Sequence, residues 1–151
     1  MDNESRNIYR IGRVAAGMTQ ERWAEAIGCC VESVRNYESG RSLPPDELVI
    51  AMVEVSGHHA LGYWHLLQRS RMAARLLPEA GTLPLPQAAL QLLLAIGEFA
   101  ELQGDLIRVA ADGKISADER ADWLAITRRM DGVVKAALQL KFSEKVETDD
   151  K

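Results

Sequence analysis

Scarcity is the first thing this sequence shows. Its two cysteines, Cys29 and Cys30, are neighbours. A disulfide between adjacent residues is badly strained, so no disulfide framework is expected and a reducing cytoplasm is the expected setting. No apolar run reaches the length of a membrane span; the longest, Ala88 to Ala100, is interrupted by Gln91 and Glu98. The opening residues are polar and include acids, which speaks against a secretory leader. A basic excess is missing too. The net charge is −4 over 151 residues, against the simple expectation that nucleic-acid binders are basic.

Chemistry-bearing clusters are equally sparse. His58, His59 and His65 do not fall at spacings that gather a metal on one helical face. Residues Arg108 to Glu119 mimic part of a calcium loop, with Asp112, Gly113, Ile115 and Glu119 at its fifth, sixth, eighth and twelfth positions. The first and third positions, which must supply carboxylates, are Arg108 and Ala110, so calcium binding is not expected. What remains is a turn through Gly113 and a capping box, Ser116 with Glu119, that starts the last helix. There is no phosphate-cradling glycine loop, no nucleophile elbow and no recognisable pair of catalytic acids. Neither a metal, a cofactor nor enzyme activity is expected.

What is present is helical periodicity, and its most organised stretch is Thr19 to Arg41. It reads as two short helices joined by a tight turn. Ala24 is small enough for another helix to cross close above it, and Gly28 can take the positive φ that ends a helix. Val34 and Tyr37 lie three apart, hence on one face, where they can pack back onto Trp23 and Ile27. If they face inward, Val31, Glu32, Ser33, Arg35 and Asn36 face outward. This is the internal geometry of a helix-turn-helix, which offers its second helix to a DNA major groove. The local charge permits it: six arginines (6, 10, 13, 22, 35, 41) stand against four glutamates (21, 25, 32, 38), a balance of +2.

Residues Ile8 to Ser56, about a third of the chain, resemble the helix-turn-helix domain of the Cro/CI-type phage-repressor (Xre) family. The matching segments are Gly17 to Glu21 (Gly-Met-Thr-Gln-Glu), Ala24, Gly28, Tyr37 to Arg41 (Tyr-Glu-Ser-Gly-Arg) and Pro44. The resemblance implies that Val31, Glu32 and Asn36 fall where base edges are read. Asn can pair bidentately with adenine, Glu can accept from cytosine, and Val can meet a thymine methyl. It also implies that Gln20 meets a phosphate at a helix N-terminus, that Arg41 and Arg22 hold the DNA backbone, and that Arg13 and Glu38 form an internal ion pair. Self-cleaving repressors would need a β-rich second half, which the helical pattern here does not offer.

Taken in order, the chain should carry a first helix over about 6–16, with Ile8, Ile11 and Ala15 inward, then the pair described above. Helix three starts near Cys30, a poor cap. Helix four, over about 45–55 with Pro45 in its first turn, aims Leu48, Met52 and Val55 at the core. Helix five should span about 60–77 with a stripe of Leu61, Trp64, Leu67 and Ala74. Residues 78–87 read as a proline-rich linker. Beyond it, two seams step by threes and fours: Leu92, Ile96, Phe99 and Leu106, then Trp123, Ile126, Met130, Val133, Ala137 and Leu140. These describe a helical hairpin over 88–142, read as a dimerisation module because a lone hairpin covers only one side of each helix. Residues 143–151 read as a disordered tail.

The fold expected is therefore all-α, a five-helix domain over 6–77 followed by the hairpin. The function expected is sequence-specific binding of double-stranded DNA by a homodimer on near-palindromic sites, regulating transcription. Two other uses of the same frame stand beside it: a module whose exposed face meets another protein, and an antitoxin whose second half wraps a toxin.

Overall fold

A computed structural model of the chain describes residues 7–143. Among these residues there are nine helices and no strand, so the protein is all-α. The tail expected over 143–151 lies, Ser143 apart, outside the described residues, as does Arg6. Two compact units divide the chain, one running to Arg75 and the other starting at Leu76.

In the first unit, α1 (Ile8–Ala15) starts where Asn7 caps it, two residues later than the apolar pattern suggests. Asn7 Oδ1 accepts the backbone N–H groups of Tyr9 and Arg10 at 3.0 and 3.2 Å, and its Nδ2 donates to the Tyr37 carbonyl at 2.8 Å. These bonds satisfy two of the amides that a helix start leaves orphaned. The buried face of α1 is Ile8, Tyr9 and Gly12, and Ala15, expected inward, is exposed. Gly12 explains the rotation. A Cβ there would sit 2.8 Å from Leu61 Cδ2, so a side chain at this point of contact between α1 and α5 (Ala60–Arg69) would force the buried Leu61 to shift.

Thr19 Oγ1 accepts from the Arg22 amide at 3.3 Å and so caps α2 (Gln20–Ile27). Gly28, at φ 76°, ends that helix in the left-handed region. The chain then enters α3 (Val31–Glu38), whose cap, Cys30, makes no side-chain bond to a backbone amide. Pro44 is buried, and Pro45 stands just outside α4 (Asp46–Ser56) rather than in its first turn. Val49 and Met52 are the buried residues of α4, while Leu48 and Val55 are half-buried. Val55 packs against the core from that position, and Arg69 and His65 hold Asp46 at the start of the helix at 2.7 and 3.1 Å.

The long fifth helix is broken in two. Ser70 leaves the helical region (φ −114°, ψ 110°), and its hydroxyl accepts the Ala73 amide at 3.1 Å, capping α6 (Arg71–Leu76). A serine that can bond a nearby amide competes with continuation of the helix, and here the cap wins. The core joins Ile8, Tyr9, Trp23, Ala24, Ile27, Val34, Val49, Met52 and Leu61. Each large side chain removed from water contributes about 1.5–3 kcal/mol.

Two polar residues enter this core. One is His65, whose ring lies between Tyr9 Oη, 2.8 Å from Nδ1, and Asp46 Oδ1, 3.1 Å from Nε2. A carboxylate only accepts, so Nε2 donates to Asp46, and the Tyr9 hydroxyl also donates to Gln68 Oε1 at 3.4 Å. Burial pushes the Tyr9 phenol up from 10.0 to about 12. An unfolded chain would release this proton above pH 10 while the fold retains it. The stability it contributes is therefore whole below pH 10 and is lost as pH climbs toward 12. Tyr9→Phe is expected to remove the phenolate absorbance change near pH 12 and to flatten the alkaline limb of a thermal melt series.

In the second unit, α7 (Leu85–Ala100), α8 (Gln103–Ala110) and α9 (Arg120–Phe142) replace the two expected arms. Pro84 caps α7 and Pro86 lies in its first turn, so part of the expected linker is helix. The first arm breaks after Ala100, where the Leu102 amide bonds back to Phe99 at 3.0 Å and Gly104 follows. α7 packs along α9, and Ala88, Val109, Ile126 and Ala136 are buried. Arg129 pairs with Glu98 across α7 and α9, and Arg108 bridges Asp105 and Asp122 at 3.0 and 2.6 Å. The capping box is present just ahead of α9: Glu119 Oε2 accepts from the Ser116 amide at 3.0 Å, and Ser116 Oγ accepts from the Glu119 amide at 3.3 Å.

Candidate nucleic-acid interface

The surface of α3 is set by what holds α3 down. Val34 is buried, and Tyr37 packs against the same core with its ring 6.4 Å from that of Tyr9. At its C-terminal end, Glu38 is buried and receives a two-pronged contact from Arg13, Nε to Oε1 at 2.5 Å and Nη2 to Oε2 at 3.0 Å. Arg13 Nη1 also donates to the Met18 carbonyl at 2.8 Å. The Glu38 contact holds the guanidinium above its ordinary pKa, against the opposing effect of burial. One cluster thus fastens α3 to α1 and to the entry of α2. It is a charge-assisted fork, the geometry in which arginine binds carboxylate best.

Gln20 belongs to this cluster. Its Nε2 donates to Glu38 Oε2 at 2.8 Å, so the amide nitrogen read as a phosphate contact is already engaged within the chain. The other residues read as backbone contacts, Arg22 and Arg41, are exposed.

The residues read as facing outward are not equivalent. Glu32 and Arg35 are exposed and lie within 3.6 Å of each other, and Arg35 also reaches Glu21 at 3.9 Å. Asn36 is half-exposed, and its backbone carbonyl accepts from the Arg41 amide at 3.0 Å and from the Ser39 hydroxyl at 3.2 Å. Ser33 Oγ lies 3.1 Å from Cys30 Sγ. Val31 is half-buried against the core, so only part of it is offered to solvent. Ser33 holds the Cys30 thiol below its ordinary pKa, while burial pushes the Cys29 thiol up.

One neighbouring residue enters the sequence reading only through the charge balance, with no site role. Arg10, exposed on α1, joins Arg13, Gln20, Arg35, Glu38 and Ser39 around a notch of about 340 Å³. Arg13 is engaged by Glu38 and Arg35 by Glu21 and Glu32, so Arg10 is the guanidinium of this notch that has no acidic partner within 4 Å among the described residues. The missed signal was its spacing: Arg10 and Arg13 are three apart and so share a face of α1.

The second unit places the seam residues inside the chain. Ile126 is buried, and Leu92, Phe99, Leu106, Trp123, Val133, Ala137 and Leu140 are half-buried. Ile96 and Met130, read as part of the same seams, are exposed. Most of the seam is thus turned into the packing of this unit, and apolar surface stays uncovered both at Ile96 and Met130 and on a further stretch of α7. Leu90, Leu93 and Leu94 are 58, 68 and 54% exposed. Together with Gly97 they follow a three-four-seven spacing on the outward face of α7. No charged residue occurs from Ala80 to Gly97.

Compared with protein-family models, with curated proteins and with solved structures, the chain matches none. No helix among the described residues is long and apolar enough to cross a membrane, and none of their His, Cys, Asp or Glu side chains gather in threes that could hold a metal.

Proposed function

We propose that the chain is a helix-turn-helix regulator of the Cro/CI type that reads double-stranded DNA through α3 and works in the cytoplasm as a homodimer. The observation that carries this reading is the fastening of α3. Val34, Tyr37 and the Arg13–Glu38–Gln20 cluster hold one side of a short helix, while Glu32, Arg35 and Asn36 stay on the other. Asn36 would supply the adenine contact and Glu32 a cytosine contact. Glu32 would repel phosphate where that contact fails, and so adds discrimination more than affinity. Arg10, Arg22 and Arg41 would supply the phosphate contacts. Pairing through the outward face of α7 would join two copies, and a twofold dimer of this class reads a near-palindromic site.

Asn36→Ala tests the reading most directly. In selection from random duplexes, preference is expected to relax at one base-pair position per half-site, by about 1–3 kcal/mol of discrimination, with the melting temperature unchanged. Equal weakening on every sequence would count against base reading by this residue.

A second reading has an observation of its own. Arg35 is shared between Glu21 and Glu32, which lowers the positive field of the face and suits contact with another protein, such as the toxin partner of an antitoxin. Salt separates the two, since a duplex complex with several phosphate contacts weakens steeply as salt rises.

A further inference from the structure

A groove of about 880 Å³ lies between α4 and α5, away from α3. Its size is that of a small-molecule site, and its make-up matches, a mostly apolar trough with a few polar groups converging on it. Val49, Val53 and Gly62 form the floor. Ile50 and Leu66 form the walls, and both are large apolar side chains left 58 and 45% exposed.

The two ends differ in charge. At one end Asp46 is doubly engaged, by Arg69 Nη1 at 2.7 Å and by the His65 ring at 3.1 Å. Its charge is thereby matched by Arg69. Arg71, set at this end by the break at Ser70, has no carboxylate within 4 Å among the described residues and remains the uncompensated charge. At the other end stand Glu54 and His59. From Asp46 to Glu54 the helix advances about 12 Å, at ~1.5 Å per residue.

We propose that this groove binds a small amphipathic carboxylate, its apolar body between Ile50 and Leu66 and its anionic head at Arg71. Glu54 repels the head from the far end and so fixes the orientation. Both ends together select one negative group joined to an apolar chain or ring system of about 12 Å, the span of the helix between the two ends. A cation or an uncharged lipid finds no matching charge at the Arg71 end. The site does not depend on DNA reading, because none of its residues lies on α3.

Decanoate and decanol, titrated into the full chain below micellar concentration and followed by ¹H–¹⁵N correlation spectra, test this. Decanoate is expected to shift the amides of α4 and α5 saturably. Decanol, with the same body and no charge, should bind at least tenfold more weakly, and Arg71→Ala should weaken decanoate at least tenfold. Ile50→Glu, at an exposed wall position that folding does not need, should abolish the shifts by placing a carboxylate beside the ligand. Equal affinity for decanoate and decanol would overturn the proposal. So would shifts confined to the leucines of α7, or an Arg71→Ala variant that binds as the natural chain does.

Discussion

Glu38→Ala is expected to cost the first unit about 3–5 kcal/mol, the range found when one partner of a buried ion pair is removed. The Arg13 and Glu38 side chains are 14 and 7% exposed, so neither can turn to water for compensation. Alanine would leave the Arg13 guanidinium half-desolvated with the Met18 carbonyl as its remaining acceptor, and would free the Gln20 amide. In a unit of this size, 1 kcal/mol shifts the melting temperature by about 4–8 °C. The expected fall is therefore at least about 12 °C, read by circular dichroism. Glu38→Gln keeps the shape and loses the charge, so it should fall between alanine and the natural residue. Replacing Arg13 and Glu38 together by Met and Leu should recover much of the loss, since removing both charges leaves none buried alone. A double variant as unstable as the sum of the singles would mean that the two side chains act independently.

The second large effect is expected at α7. Leu93 and Leu94 lie on its most exposed apolar stretch, and pairing of two copies there would bury them twice, once from each partner. A residue at the centre of such an interface costs about 2 kcal/mol or more when lost, and twofold symmetry doubles it. Leu94→Asp should then weaken the dimer by about a thousandfold in Kd, since ~4 kcal/mol corresponds to three factors of ten. Light scattering should report a dimer for the natural chain and a monomer for the variant at micromolar concentration, with no change in helix content. Affinity for a full palindromic site should drop with it, while affinity for a single half-site stays the same. A natural chain that is monomeric at high concentration would defeat the pairing, and a Leu94→Asp chain that remains dimeric would move it to another face.

Local chemistry was legible in advance, and distant pairing was not. Ala24, Gly28 and Val34 follow from spacing, because a helix repeats every three to four residues and a left-handed turn favours glycine. The box at Ser116 and Glu119 follows for the same reason, its partners being three apart. Tyr9, His65 and Asp46 could not be joined that way, since Tyr9 and His65 are 56 residues apart. Gly12 gives no sign in sequence that Leu61 will press against it. The break at Ser70 shows a different failure. The apolar stripe continues through it, but a single hydroxyl with an amide in reach outweighed the stripe. At the candidate interface the pattern told which residues share a face, and not which of them would be spent on one another. Gln20 and Arg35 are both drawn into bonds within the chain.

Cys30 brings sulfur to a position where an oxygen acceptor is the rule. The first amides of α3 therefore lack an oxygen cap at its leading edge. In the proposed complex that edge would meet the duplex first, and in the free chain it should exchange its amide hydrogens ahead of the remainder of the helix. If the proposed reading of DNA holds, a loose leading turn would adapt to imperfect sites at the cost of ordering entropy on each of them. Tolerance of variant operators would then be written into one atom of one side chain.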